Sequence, residues 1–197
     1  MDMSTAVTRL TLLRHGATAA TRRASFPADE PLEPAALARA RSLSPRIGRH
    51  DAVWSSTARC ALETSEALGL VPTIVPELDD ADAGAWRGRT LEDVGRTDPD
   101  ALAAWMRDEA VAPPGGESLI DVLARVGRWL EEQAADGHKT LAVTHAVVIR
   151  AAVVHALMAP PAAAWRIDVA PLSRTVLHAR HRRWTVRALN VGRDDGS

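Results

Sequence analysis

Short apolar runs and stretches of helical periodicity alternate along most of the chain. Thr8 to Leu13 (TRLTLL) is a β-branched and leucine run that stops at the charged pair Arg14–His15, followed by Gly16. This pattern predicts a buried strand ending in a turn that carries chemistry. Pro34 to Ile47 is rich in alanine, leucine and arginine; Pro34 suits a first helical turn and Gly48 a C-terminal cap. Asp51 to Ser56 (DAVWSS) predicts a second strand, and Ser56 or Thr57 can cap a helix running through Arg59, Leu62 and Ala67 to Gly69. A third strand, Thr73 to Val75, leads into the acidic stretch ELDDADAG, beyond which weaker helical segments cover about 90–107.

Residues 113–116 (PPGG) break the chain before Leu119, Val122, Leu123, Val126 and Leu130 recur at helical spacing. Lys139 to His145 (KTLAVTH) repeats the opening pattern, a buried strand ending in a histidine, and Val147 to Leu157 returns to helix. Trp165 to Val169, Thr175 to Ala179 and Trp184 to Leu189 alternate as strands do. The last two, joined across Arg180 to Arg183, form a sheet edge or hairpin. Strands alternating with helices define an α/β fold with a mainly parallel sheet, because parallel neighbours need crossover connections. In such sheets ligands bind beyond the carboxyl ends of the strands, and His15, Arg59, Asp80 and His145 each follow a predicted strand.

Composition narrows the setting. The 197 residues, 46% hydrophobic, suffice for one core and are read as a single domain, 1–197, with its variable segment near 82–116. Lys and Arg number 24 against 25 Asp and Glu, so a net charge of −1 gives no general attraction to nucleic acid or to an anionic membrane. Cys60 is the single cysteine and no export signal is evident, so a reducing cytoplasm is expected. The most apolar run is broken by His145, Arg150 and His155, which excludes a bilayer-spanning stretch.

A site that transfers a phosphoryl group needs fixed cations, a nucleophile and an acid for the leaving oxygen. Arg14 and Arg59 suit the first task, since a guanidinium stays charged and meets two phosphate oxygens with parallel donors. His15 is a fit nucleophile if one ring nitrogen is held by a backbone carbonyl, and Gly16 would let the backbone approach closely. His145 can hydrogen-bond the developing charge. Asp80 lies near the same anion, whose charge raises a carboxyl pKa and favours the protonated acid. Asp79 and Asp82 are rivals for that role. Taken singly, Arg59 reads as a solvated helix residue and His145 as a core histidine. Trp86 and Trp105 read as apolar anchors before they read as pocket walls. His50, His138, His155, His178 and His181 lack ligand-like spacing, so no metal site is expected.

Five ordered blocks carry a resemblance: TLLRHGAT at 11–18, SSTARCALET at 55–64, LDDADAGAWRG at 78–88, PGGES at 114–118 and VTHAVVIRA at 143–151. Together they resemble the histidine phosphatase superfamily, the phosphoglycerate mutase-like proteins, over about residues 9–160. The resemblance implies a three-layer α/β/α sandwich with no metal or other cofactor. It makes His15 the phosphorylated nucleophile, sets Arg14, Arg59 and His145 around the phosphate, and puts Asp80 where the family usually has a catalytic glutamate. Thr18 matches a family threonine, and Thr21 stands where many members have a phosphate-contacting asparagine. Ala17 and Ala146 replace the commoner glutamate and glycine, and Arg87 takes the usual acidic place of a Trp-Glu-Gly pattern. The implied activity is hydrolysis of a small phosphorylated metabolite through phosphohistidine. A phosphoglycerate-type mutase and a non-enzymatic phospho-ligand-binding protein are the alternatives, and the oligomeric state stays open.

Overall fold

The computed structural model describes residues 7–135 and 137–192. Six strands form one mixed sheet: β1 (Thr8–Arg14), β2 (Ala52–Ser55), β3 (Thr73–Ile74), β4 (Lys139–Thr144), β5 (Arg174–Arg180) and β6 (Arg183–Val191), in the order β3-β2-β4-β1-β5-β6. β3, β2, β4 and β1 run parallel, while β5 and β6 are antiparallel additions beyond β1. β4 pairs with a parallel strand on both sides and is buried from Thr140 to Thr144, which accounts for its unbroken apolar run.

The helices are α1 (Ala19–Arg23), α2 (Pro34–Ile47), α3 (Arg59–Ala67), α4 (Leu91–Thr97), α5 (Pro99–Trp105), α6 (Leu119–Gln133) and α7 (Ala146–Leu157). The strands' alternation divides them into two layers. Leu10 and Leu12 of β1, Ala142 of β4 and Leu177 of β5 face one way, onto Val122, Val126 and Leu130 of α6 and Val148 and Ile149 of α7. Leu13, Leu141 and Val143 face the other way, onto Ala61 and Leu68 around α3 with Leu43 and Ile47 of α2. This is an α/β/α sandwich, as the resemblance implies. None of the described helices is long and apolar enough to cross a membrane.

Two expectations from the pattern need revision. Trp165 to Val169 is not a strand: Pro161–Arg166 is a 3-10 turn and the rest is irregular. Its carbonyls go to arginines, Ile167 O to Arg150 Nε at 2.9 Å and Val169 O to Arg14 Nη1 at 2.6 Å, so its apolar alternation comes from packing rather than a ladder. The loop after β1 also contains α1, capped reciprocally by Thr18 and Thr21.

The PPGG break has a structural reason. Ala85 N donates to Pro114 O and Glu117 N to Asp82 O, drawing the loop before α6 onto the acidic loop. A Cβ at Gly116 would lie 2.3 Å from Asp82 O, which no side chain tolerates. Gly116→Ala should therefore push the acidic loop out of place. We expect a loss of stability above about 2 kcal/mol, measured by urea unfolding, the scale typical of a named backbone clash.

Candidate active site

The end of β4 assembles the site. Its last carbonyls continue both ladders beyond the strands: His15 N donates to Thr144 O at 2.9 Å and Ser56 N to Val143 O at 3.1 Å. Thr144 Oγ1 donates to Leu78 O at 2.6 Å, which fixes the root of the acidic loop, and His145 follows as the residue entering α7. Three strand ends and one loop therefore converge on a pocket of about 440 Å³. His15, Thr18, Cys60, Asp80 and His145 all line it.

His15 is buried, and its Nδ1–H donates to the Gly16 carbonyl at 2.7 Å. That bond sets the tautomer and leaves Nε2 as the ring's lone-pair nitrogen. Gly16 is needed for packing as well as for approach, because a Cβ there would stand 3.1 Å from Leu32 Cδ2 and 3.2 Å from Ala36 Cβ of α2. The Gly16 N–H donates to Thr64 Oγ1 at 3.0 Å, and Thr64 in turn donates to Cys60 O. Burial, then the neighbouring His145 and Arg14, push the His15 imidazole down to about 3, so it is neutral across the physiological range.

The His145 ring sits 4.9 Å from that of His15, tilted by 57°. Its Nε2 is hydrogen-bonded with Ser56 Oγ at 2.8 Å, whereas Nδ1 is 3.5 Å from Asp80 Oδ2 and has no hydrogen-bond partner among the described residues. Burial pushes this imidazole down to about 4. Asp80 keeps 32% of its side chain open to the pocket while protein encloses the rest, and desolvation raises its pKa against the opposing pull of His15 and nearby arginines. Cys60 stays a thiol: burial, then Asp80 and Asp29, push it up to about 12, which removes it as a nucleophile at neutral pH.

The three aspartates are separated by their partners. Asp79 accepts from Thr57 N at 2.6 Å and Thr57 Oγ1 at 2.8 Å, tying the acidic loop to the entrance of α3. Asp82 accepts from Gly84 N and pairs with Arg87. Of the three, Asp80 brings its carboxylate to 3.5 Å from His145 Nδ1, and it accepts a hydrogen bond from Ala81 N at 3.0 Å.

Arg14 is half-buried and is not among the residues that line the pocket; it donates to Val169 O, and its Nε lacks an acceptor among the described residues. Arg59 begins α3 beside the pocket, but its guanidinium turns away to Glu63 Oε1 at 2.7 Å and is largely exposed. Thr21 does not line the pocket; its hydroxyl bonds with Thr18. Trp86 is fully buried and packs against Phe26 and Trp105.

Several positioning residues escaped the sequence reading. Arg125 of α6 grips Glu117 through Nε and Nη2 at 2.9 and 2.8 Å, and its Nη1 donates to the carbonyls of Glu77 and Asp79. It holds the acidic loop from behind. The Glu117 of PGGES and an arginine eight residues on are the signal that could have found it, a pair two helical turns apart. Ser56 and Thr64 gave no such signal, because their partners are distant in sequence.

Among the described residues, one cluster brings metal-ligating atoms together: those of His15, Cys60 and His145 lie within 4.8 Å of one another. Within it His15 Nδ1 is held by Gly16 O and His145 Nε2 by Ser56, which leaves one ring nitrogen of each imidazole facing the cluster. α7 starts at His145 without a side-chain cap, so the positive end of its dipole lies next to the pocket that His145 lines.

Fold and site together define an α/β protein whose pocket is built around a pair of buried histidines. The chain belongs to the histidine phosphatase superfamily, branch 1, whose model matches residues 10–192. A bifunctional protein of Mycobacterium tuberculosis is 34% identical over 185 residues, covering 87% of this chain but 51% of that protein. The chain thus spans about half the length of this curated relative. The adenosylcobalamin/alpha-ribazole phosphatase of Salmonella typhimurium is 31% identical over 173 residues, covering 82% of this chain and 85% of its own. The crystal structure of the alpha-ribazole phosphatase from Shigella flexneri superposes with a TM-score of 0.84 at 25% identity, covering 92% and 96% of the two chains.

The buried histidines make stability proton-linked. Their folded pKa values lie below the ordinary 6.5, so the unfolded chain binds more protons between about pH 6.5 and 3 and stability falls as pH falls through that window. Asp80, raised above 3.8, acts in the opposite sense. We expect the loss of urea midpoint between pH 7 and pH 4.5 to be smaller in His145→Asn than in the native protein; an equal loss would contradict neutral burial.

Proposed function

We propose that the protein is a phosphatase that hydrolyses a small phosphate monoester through a phosphohistidine on His15, with Asp80 as acid and base and no metal. The supporting observation is the His15 hydrogen bond to Gly16 O: it holds Nδ1 protonated and leaves Nε2 to attack. His15 Nε2 forms a bond to phosphorus as the bond from phosphorus to the ester oxygen breaks, and the departing oxygen takes the Asp80 proton. Water then gives a proton to the Asp80 carboxylate and attacks phosphorus. The phosphorus–nitrogen bond breaks, returning neutral His15 and releasing inorganic phosphate.

Charge stabilisation comes from Arg14, His145 and the start of α7. A bound dianion beside His145 favours its protonated form, which turns the ring into a donor at Nδ1. Arg14 Nε gains an acceptor in the phosphate. Arg59 reaches the anion by a rotamer change that releases Glu63, which stays anchored to Leu32 N. Thr18 borders the phosphate, and Thr21 supports it through the shared hydroxyl contact. The proposed acid is Asp80 because Asp79 and Asp82 are already engaged.

Acid quench after mixing with a phosphate ester, in the presence of chelator, should trap an acid-labile, base-stable phosphoenzyme in the native protein and none in His15→Ala. Free phosphate should appear in stoichiometric amount with the alcohol. Isomer interconversion without phosphate release would mark a mutase, and turnover surviving in His15→Ala would end the mechanism.

Asp80→Asn should lower kcat/KM about 100-fold or more for alkyl phosphates and far less for activated aryl phosphates, whose leaving groups need no proton. Asp82→Asn should stay within a few-fold of native. The acid works protonated, so native kcat/KM should fall as pH rises through the raised Asp80 pKa, and that limb should be missing in Asp80→Asn. A limb unchanged by the substitution would assign the acid elsewhere.

A further inference from the structure

We propose that the alcohol half of the substrate is a flat apolar ring system without a second anionic group, seated in a cavity that opens off the catalytic pocket. This rests on the phosphatase reading and narrows it. The cavity has a volume of about 260 Å³ and shares Pro27, Asp80, Ala81, Asp82 and Ala83 with the pocket that holds His15 and His145. Its other walls are aromatic and aliphatic: Phe26, Trp105, Trp165, Val111, Leu119 and Val147. Trp105 stands edge-on to both Phe26, at 5.5 Å and 68°, and Trp165, at 5.9 Å and 69°. An engineered apolar cavity of roughly 150 Å³ takes up benzene, so the space here suits a larger, bicyclic ring.

Position ties this cavity to the reaction. An acid for the leaving oxygen must touch the junction between phosphorus and alcohol, and Asp80 lines both spaces. A phosphoryl group facing His15 therefore directs its alcohol past Asp80 into the aromatic chamber.

Charge excludes one class of alcohol. The ionisable residues lining the chamber are Asp80, Asp82, Asp108, Glu109 and Glu117, with no lysine, arginine or histidine among the described lining residues. Asp82 and Glu117 are already paired with Arg87 and Arg125, so a carboxylated alcohol, such as that of phosphoserine or a phosphoglycerate, would meet Asp108 and Glu109 with no cation in the lining to balance it. An uncharged ring would instead exchange water for aromatic contact.

The test compares three esters of unactivated alcohols, so that leaving-group chemistry is alike: naphthylethyl phosphate, ethyl phosphate and phosphoserine. We expect kcat/KM for the naphthylethyl ester to exceed that for ethyl phosphate by about 30-fold, mainly through KM, the scale expected for burying a ring. Phosphoserine should fall below both. Trp105→Ala, and separately the half-exposed Trp165→Ala, should each reduce the naphthylethyl-to-ethyl ratio about fivefold or more; Trp165 carries the test if Trp105→Ala does not fold. Equal kcat/KM for the first two esters, preference for phosphoserine, or an unchanged ratio in a folded variant would overturn the assignment.

Binding of the same esters to His15→Ala, followed by calorimetry, separates the two readings. If no ester is hydrolysed by the native protein yet the naphthylethyl ester binds more tightly than ethyl phosphate, the phosphatase reading falls and the chamber stands. If all three are hydrolysed without preference, the chamber assignment alone falls.

Discussion

The last two carbonyls of β4 are the constraint on which the rest depends. Val143 O and Thr144 O accept from Ser56 and His15, residues one step beyond the ends of the flanking strands. Successive residues of a strand bond to opposite neighbours, so a one-residue slip would turn each terminal side chain to the other face of the sheet. By carrying both ladders past the strand ends, β4 sets the nucleophile on one side and the Ser56 support of His145 on the other. Both hydrophobic layers secure this line, because β4 is covered on each face and flanked on each edge.

A second tier of polar contacts holds the carboxyl against the histidines. The acidic loop is pinned by Thr144 from beneath, by Thr57 through Asp79 at one side, and by Arg125 reaching to its carbonyls. Arg125 and Glu117 form a largely buried bidentate pair, and such a pair contributes more to a defined geometry than to net stability. The glycine-rich break before α6 completes the arrangement by letting one loop lie directly on the other. Fold energetics and site geometry meet here, since the helix that supplies Val122, Val126 and Leu130 to the core also supplies the arginine.

Most of the layout was legible because it follows strong periodic signals. The strands ending at Arg14 and Thr144, the helix from Leu119, and the antiparallel pair near 175 and 185 are all present at about the expected bounds. Trp165 to Val169 misled because alternation reports which side chains are buried and not where the carbonyls go; there they serve Arg14 and Arg150. The short α1 has too little length for a periodic signal, and its cap pairs two threonines rather than a threonine with a glutamate or glutamine. Within the site, residue types and spacing led to His15, His145 and the acidic stretch, but three neighbouring aspartates are indistinguishable by spacing. Their hydrogen bonds are what tell them apart. Arg59 shows the reverse case: its pairing with Glu63 one turn on was readable as a helix contact, and it is the state the structure adopts.

The two buried imidazoles have a consequence for traffic through the pocket. With both rings neutral and Asp29, Glu30, Asp79, Asp80 and Asp82 set against Arg87 around the opening, the lining of the unliganded site carries more negative than positive charge. On the proposed reading, a phosphate dianion that enters would favour protonation of His145, which would couple occupancy to proton uptake. His145 would then be a switchable counter-charge beside the fixed charge of Arg14, present only while the anion stays.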